Sequence, residues 1–242
     1  MLLLFAAINE YQGSSRPWII GALIGLAMSS RAPSGLNILY FALAIAFAKD
    51  IRVNKVRNLA YLLLSFGTVI AALAAYNFAR FGNPLETGYS FQLNGLGMPY
   101  AAWDVPGNNP GPALSLAHVA GHLRIFLFGL PDYKSVGTSV LLVSPFLAYL
   151  VKLPRWDLTG RLIVINILPV MFLVLAFRST GFEQMGYRFS LDFLPFVFWL
   201  MMRSRIELTG RMKSIIFLAT VVDLALTIFH MATGVARRMS DL

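Results

Sequence analysis

The chain has 242 residues, of which 57% are hydrophobic and only 13% are charged, and its mean hydropathy is +0.68. Soluble domains usually contain about 45–50% apolar and about 25% charged residues, so this composition excludes a disordered chain and argues against an ordinary soluble enzyme. The absence of cysteine excludes disulfides, thiolate metal sites and cysteine nucleophiles.

Apolar stretches separated by polar loops follow one another along the chain. They predict membrane spans at residues 18–30, 35–48, 58–79, 136–151, 162–177, 189–202 and 214–233. The predicted fold class is therefore all-α: a polytopic transmembrane helical bundle of about six to seven spans, forming a single transmembrane domain over residues 1–242.

The basic residues are concentrated in every second loop. Loops 49–57, 152–161 and 203–213 hold more than half of the 20 Lys and Arg residues, whereas the alternate loops 80–135 and 178–188 hold few. This alternation follows the positive-inside rule. We therefore predict a multi-pass protein of the cell membrane whose three basic loops are cytoplasmic and whose other two loops and C-terminus are extracytoplasmic. The net charge of +9 then sets topology, and no nucleic-acid partner is expected.

The first apolar segments are shorter than a bilayer requires. Eight helical residues rise only about 12 Å against a hydrocarbon core of about 30 Å, so Met1–Ile8 cannot span alone. We expect the chain to begin inside a transmembrane helix of a longer protein; a peripheral N-terminal helix is the alternative. Because Pro33 disfavours helix at Ala32, spans 18–30 and 35–48 are predicted to form a tight hairpin.

The extracytoplasmic loop 80–135 begins with a segment rich in Gly and Pro. From about residue 113 to 130 the pattern becomes amphipathic, which predicts a helix lying in the membrane interface. His118 and His122 stand at i and i+4, a spacing that allows two imidazoles to share a metal ion. No acid lies between them and no third ligand is evident, so we interpret them as an ordinary polar helix face and predict no metal site.

Charged residues in or beside the apolar spans are candidate functional groups, because burying one costs at least about 2.5–3.5 kcal/mol on insertion scales. Arg188 and Asp192 are four residues apart and can pair on one helix face. Alternatively, the Arg188 guanidinium binds a phosphate group on the outer side. Asp223 lies deep in the last span, where bracing of helix packing is the favoured interpretation.

Three segments resemble one family of membrane enzymes. Residues 76–89 (YNFARFGNPLETGY), 181–196 (GFEQMGYRFSLDFLPF) and 21–33 (GALIGLAMSSRAP) resemble the GT-C fold glycosyltransferases that depend on polyprenyl-phosphate sugars. These are the protein-mannosyltransferase-like and lipopolysaccharide-sugar-transferase-like enzymes. The resemblance implies transfer of a sugar from a polyprenyl-phosphate carrier to a glycan, lipid or protein acceptor at the extracytoplasmic face.

The family's catalytic carboxylate lies in its first extracytoplasmic loop, and no part of this chain matches that loop. No catalytic residue is therefore assigned, and the chain is expected to be the C-terminal part of such an enzyme. Transfer also needs cations beside the departing phosphate, where negative charge develops. The candidate phosphate contacts are Arg188, Arg80 and Arg31, and the candidates for lining the sugar or acceptor pocket are Tyr187, Tyr89 and Glu86.

The expected partners are membrane lipid and the polyprenyl-phosphate-linked sugar, which is the donor substrate; no tightly bound cofactor is expected. Two other classes remain open. In a transporter or lipid-carrier flippase, proline-broken spans and buried acids would line a pathway. In a noncatalytic membrane subunit, the helices would only pack against an enzyme.

Overall fold

Helices make up nearly all of the regular structure. The computed structural model describes residues 1–48, 54–86, 88, 114–129, 139–145, 147–148, 156–177, 187–204 and 209–240. Of these residues 84% are helical, and the extended pairing recorded among them is an isolated antiparallel bridge between Leu114 and Phe177. The prediction of an all-α fold is confirmed for this part of the chain.

The described helices follow the predicted spans in order. They are α1 (Leu2–Gln12), α2 (Pro17–Ser30), a 3₁₀ segment (Ala32–Asn37), α3 (Ile38–Ala46), α4 (Lys55–Phe81), α5 (Leu116–Phe128), α6 (Val140–Val143), α7 (Leu158–Ala176), a second 3₁₀ segment (Arg188–Asp192), α8 (Leu194–Arg203) and α9 (Gly210–Ser240). Helix α5 lies inside the range predicted to be helical in the loop 80–135. Much of the predicted span 136–151 lies outside the described residues.

Three helices are long and apolar enough to cross a membrane. They are α4, α7 and residues Gly210–Phe229 of α9. Helix α7 runs through Pro169 without a break. Helices α2, α5 and α8 and the segment Ala32–Ala46 are also apolar but shorter. Helix length and composition thus support a membrane protein.

The ends of two helices follow from local chemistry. Helix α4 begins after Asn54, whose side-chain oxygen accepts a hydrogen bond from the amide of Arg57 at 2.9 Å. It ends at Gly82, which has a left-handed backbone (φ 70°) that a residue with a Cβ rarely adopts. Helix α2 ends because Arg31 is extended (φ −151°), just before the Ala32–Pro33 step. The chain therefore forms two separate helices where a break was predicted.

The structure divides into two compact units. The first comprises residues 1–104, 156–171 and 191–200, and the second comprises residues 105–155, 172–190 and 201–242. The core of the first unit is aromatic, with Tyr40, Phe41 and Phe196 fully buried. In the second unit, Phe126 of α5 and Leu175 of α7 are buried.

In the first unit, α2 packs closely against α4 along two glycines. A Cβ atom at Gly21 would overlap the main-chain oxygen of Leu62 and the hydroxyl of Ser65. A Cβ at Gly25 would lie 2.8 Å from the Cβ of Val69. Two small residues four positions apart allow such an approach between helix backbones, which is a common packing mode in membranes.

Candidate functional site

A buried ion pair lies at the C-terminal end of α2. The Nε atom of Arg31 donates to both carboxylate oxygens of Asp192, at 2.9 and 3.0 Å, and its Nη2 lies 2.8 Å from Oδ2. The Ser34 hydroxyl donates to Oδ1 at 2.6 Å. Asp192 is only 1% exposed, whereas 27% of the Arg31 side chain is exposed. The carboxylate is therefore sealed inside the first unit, and the cation reaches its surface.

Two asparagines extend this ion pair into a polar network between apolar helices. Asn37 donates from Nδ2 to the main-chain oxygens of Ser34 and Asp192, both at 2.9 Å. Asn166 of α7 donates to Oδ1 of Asn37 at 2.8 Å and accepts from the amide of Tyr40 at 3.2 Å. Both asparagine side chains are fully buried. The network joins three segments that are far apart in sequence, so it fixes their relative positions within the unit.

An aromatic layer packs near the network in the same unit. The rings of Tyr40 and Trp199 have centroids 5.0 Å apart in an edge-on arrangement, and Tyr11 packs on both rings. Phe41 and Phe196 complete the cluster. Such edge-on contacts favour a fixed ring arrangement. The layer gives the polar network rigid neighbours.

A cavity of about 150 Å³ borders the ion pair. Ser30, Arg31 and Ser34 contribute its polar wall, and Ala27 and residues 1–3 contribute its apolar wall. Hydroxyl and guanidinium groups are hydrogen-bond donors that suit an oxyanion. The cavity thus combines donors, a positive charge and an apolar border.

The predicted partner of Asp192 differs from the one observed. The sequence places Arg188 four residues before Asp192, but in the structure Asp192 pairs with Arg31, which is 161 residues away. Arg188 begins the short 3₁₀ segment, and its side chain lies outside what the structure describes. Its predicted role as a phosphate contact remains a prediction.

The candidates at the end of α4 have local partners. Arg80 is exposed; its Nη1 donates to the Tyr76 hydroxyl at 3.3 Å, and its guanidinium carbon lies 4.9 Å from the centroid of the Phe81 ring. Glu86 accepts a hydrogen bond from the amide of Gly88 at 2.6 Å. Tyr89, the third candidate in this region, lies outside the described residues.

Tyr187 lies in the second unit and is buried rather than exposed in a pocket. Its ring meets Phe126 edge-on with centroids 5.4 Å apart, and only 3% of the residue is exposed. Burial raises the pKa of its hydroxyl. The hydroxyl has no hydrogen-bond partner among the residues described. This arrangement favours a packing role for the ring.

The histidine pair caps the end of α7. Nδ1 of His118 lies 3.2 Å from the oxygen of Ala176, and Nδ1 of His122 lies 2.9 Å from the oxygen of Leu175. Because a carbonyl only accepts, each Nδ1 carries the proton. These contacts satisfy carbonyls that lack partners within the helix. No group of three metal-binding side chains occurs in the described ranges.

Sequence reasoning missed Ser34, Asn37 and Asn166. Their common signal is a polar side chain that is buried beside or within an apolar span, which is costly in a membrane unless it is hydrogen-bonded. No protein-family model, curated protein or solved structure matches this chain.

Proposed function

We propose that this protein is part of a membrane glycosyltransferase that takes a sugar from a polyprenyl-phosphate carrier at the extracytoplasmic face. The observation that carries the proposal is the Arg31 cation at the wall of a cavity, at the end of an apolar helix. A carrier of this kind needs a cation that meets its phosphate near the membrane surface while its chain stays in lipid. The segments resembling the polyprenyl-phosphate-dependent family support the same class.

The proposal includes a bundle of six to seven spans with the topology inferred from charge. The basic loops 49–57, 152–161 and 203–213 are then cytoplasmic. In that topology the turn after α2, the end of α4 and the segment before α8 all lie on the extracytoplasmic side. The direct contact between Arg31 and Asp192 is compatible with it, since both residues are then expected at the outer side.

In the proposed reaction this chain supplies binding groups for the phosphate. Arg31, Arg80 and Arg188 are the candidate contacts, and positive charge there stabilises the leaving phosphate as the glycosidic bond breaks. Glu86, Tyr89 and Tyr187 remain the proposed pocket residues. The base that deprotonates the acceptor hydroxyl is not assigned.

The test is release of carrier phosphate by the protein purified from its native membranes. The protein is incubated with a panel of undecaprenyl-phosphate-linked hexoses and pentoses, and undecaprenyl phosphate is measured by mass spectrometry. We expect release with at least one donor, and a lower rate for Arg188→Lys or Arg80→Lys because lysine cannot bind phosphate with two donors in a fixed plane. The exposed Arg57, in the first turn of α4, provides the control variant Arg57→Lys.

A lipid-carrier flippase is the second candidate, favoured by the buried pair of Asn37 and Asn166 between apolar helices. It predicts movement of fluorescent polyprenyl phosphate across proteoliposomes without cleavage of any donor. Movement without release would replace the proposed function with this one. Absence of both activities would leave the noncatalytic subunit as the better description.

A further inference from the structure

The Arg31–Asp192 pair is asymmetric. Asp192 contacts the edge of the guanidinium formed by Nε and Nη2, and it is itself held by the Ser34 hydroxyl. Its main-chain oxygen accepts from Asn37. The carboxylate is therefore fixed and inaccessible, whereas the cation borders the cavity that Ser30 and Ser34 also line.

We propose that Asp192 is a positioning residue that orients Arg31 to bind the phosphate of a polyprenyl-phosphate carrier in this cavity. The inference rests on the proposed function and specifies where the phosphate binds. A guanidinium has five N–H donors in one plane, so fixing one edge also fixes the direction of the rest. The Ser30 and Ser34 hydroxyls provide further donors at the cavity wall.

The size and polarity of the cavity fit a phosphate group. Its volume of about 150 Å³ exceeds that of about four water molecules at roughly 30 Å³ each. A phosphate has five heavy atoms, and the apolar wall of Ala27 and residues 1–3 can contact the first carbons of a prenyl chain. The site thus favours a lipid-linked phosphate over a free one.

Stability alone is a poor explanation for the ion pair. A buried pair is often no more stabilising than apolar residues of the same volume, because both charges lose their hydration. What the pair supplies is direction: a long, flexible arginine side chain is held at one place on the cavity wall. A positioned cation of this kind is what binding of a planar face of phosphate oxygens requires.

The test measures binding to the full chain in phosphatidylcholine nanodiscs. The probes are undecaprenyl phosphate, inorganic phosphate and undecaprenol, which lacks the phosphate. We expect the wild-type protein to bind undecaprenyl phosphate, to bind inorganic phosphate at least tenfold more weakly, and not to bind undecaprenol. Asp192→Asn should weaken binding of undecaprenyl phosphate at least tenfold, although the substitution removes a negative charge beside the site.

The sign of that effect separates positioning from simple charge. If charge alone mattered, removing the Asp192 carboxylate would strengthen binding of an anion, and equal or tighter binding by Asp192→Asn overturns the inference. Arg31→Lys keeps the charge and should also lose at least tenfold in affinity, so it carries the test if Asp192→Asn does not fold. The exchanged pair Arg31→Asp/Asp192→Arg should restore thermal stability but not binding, because its cation lies at the sealed position.

The exposed ion pair of Glu10 and Arg16 provides the matched control. Its Nε–Oε1 and Nη2–Oε2 distances are both 2.9 Å, close to those of the buried pair. Glu10→Gln and Arg16→Lys should leave phosphate binding unchanged, and a tenfold loss in either would overturn the inference.

The outcomes also distinguish the inference from the proposed function. Normal carrier release with unaltered binding in Asp192→Asn refutes the positioning role and leaves the function intact. Preference for inorganic phosphate, lost in Asp192→Asn and Arg31→Lys, supports the site but contradicts the lipid-carrier function. Binding of neither phosphate by the wild-type protein refutes the site.

Discussion

The contact between α2 and α4 gives the sharpest test of the fold. Alanine at Gly21 would place a Cβ against the main-chain oxygen of Leu62 and the hydroxyl of Ser65. Rotation of the Ser65 side chain can relieve one overlap, but the oxygen of Leu62 belongs to the backbone of α4. Helix α2 must therefore move outward by on the order of 1 Å, which forfeits a quarter to a half of the dispersion energy at neighbouring contacts.

The magnitude follows from these distances. Overpacking of this kind usually costs about 1–3 kcal/mol. We expect Gly21→Ala to lose about 2–3 kcal/mol and Gly25→Ala about 1 kcal/mol, because the atoms nearest the new Cβ at Gly25 belong to the side chain of Val69. For a chain of this size that corresponds to a fall in melting temperature of roughly 4–10 °C for Gly21→Ala.

The assay is thermal unfolding of the purified protein in one detergent, followed by tryptophan fluorescence. Gly67 of α4 is the matched control, since a Cβ there meets no atom within 4 Å. Gly67→Ala should leave the melting temperature unchanged or raise it, because alanine gains up to about 1 kcal/mol in helix propensity. A Gly21→Ala variant as stable as the wild type, or an equal loss in Gly67→Ala, would refute the close approach of the two helices.

Three further predictions concern buried polar groups. Asn166→Leu should destabilise the protein by about 1–3 kcal/mol because it leaves Asn37 without an amide partner, and adding Asn37→Leu should cost less than a second loss of the same size; additive losses in a thermal double-mutant cycle would contradict a shared bond. Burial holds the pKa of His122 below the ordinary imidazole value of 6.5, so the unfolded chain binds protons first, and stability should fall as the pH drops below 6.5. Hydrogen exchange of α5 should therefore speed up between pH 7.5 and 5.5 in the wild type and change less in His122→Asn, which keeps a donor near the oxygen of Leu175 but does not titrate; the same acceleration in both proteins would exclude the imidazole as the cause. Tyr187→Phe should leave the melting temperature unchanged or raise it, because it removes a buried hydroxyl that lacks a partner among the described residues, and a loss of carrier release at unchanged stability would instead assign Tyr187 to the substrate pocket.

Local features of the sequence predicted the helices well. Hydropathy located the long helices, Pro33 marked the break after α2, and Gly82 follows the last residue of α4. These signals act within a few residues, so a single sequence carries them. Span counting from hydropathy is coarser, because α3 and α8 are apolar but only 9 and 10 residues long.

The polar network could not be predicted in the same way. The sequence marks Arg31 and Asp192 as charged residues beside apolar spans, and helical spacing made Arg188 the natural partner of Asp192. The observed partner depends on how segments more than a hundred residues apart pack together, which no local pattern encodes. Asn37 and Asn166 show the same limit, because each is an unremarkable amide until the helices bring the two side chains to 2.8 Å.

The distance in sequence between Arg31 and Asp192 has a consequence for biosynthesis. Ribosomes add about 5–20 residues per second, so Asp192 is made roughly 8–30 s after Arg31, which precedes it by 161 positions. During that interval the arginine at the end of α2 has been inserted without its carboxylate. It must keep its charge at the lipid–water boundary, or near the insertion machinery, until α7 and the segment before α8 arrive. The nascent chain therefore passes through a period in which its helices are inserted but its central ion pair has not formed, and membrane quality control can recognise it then.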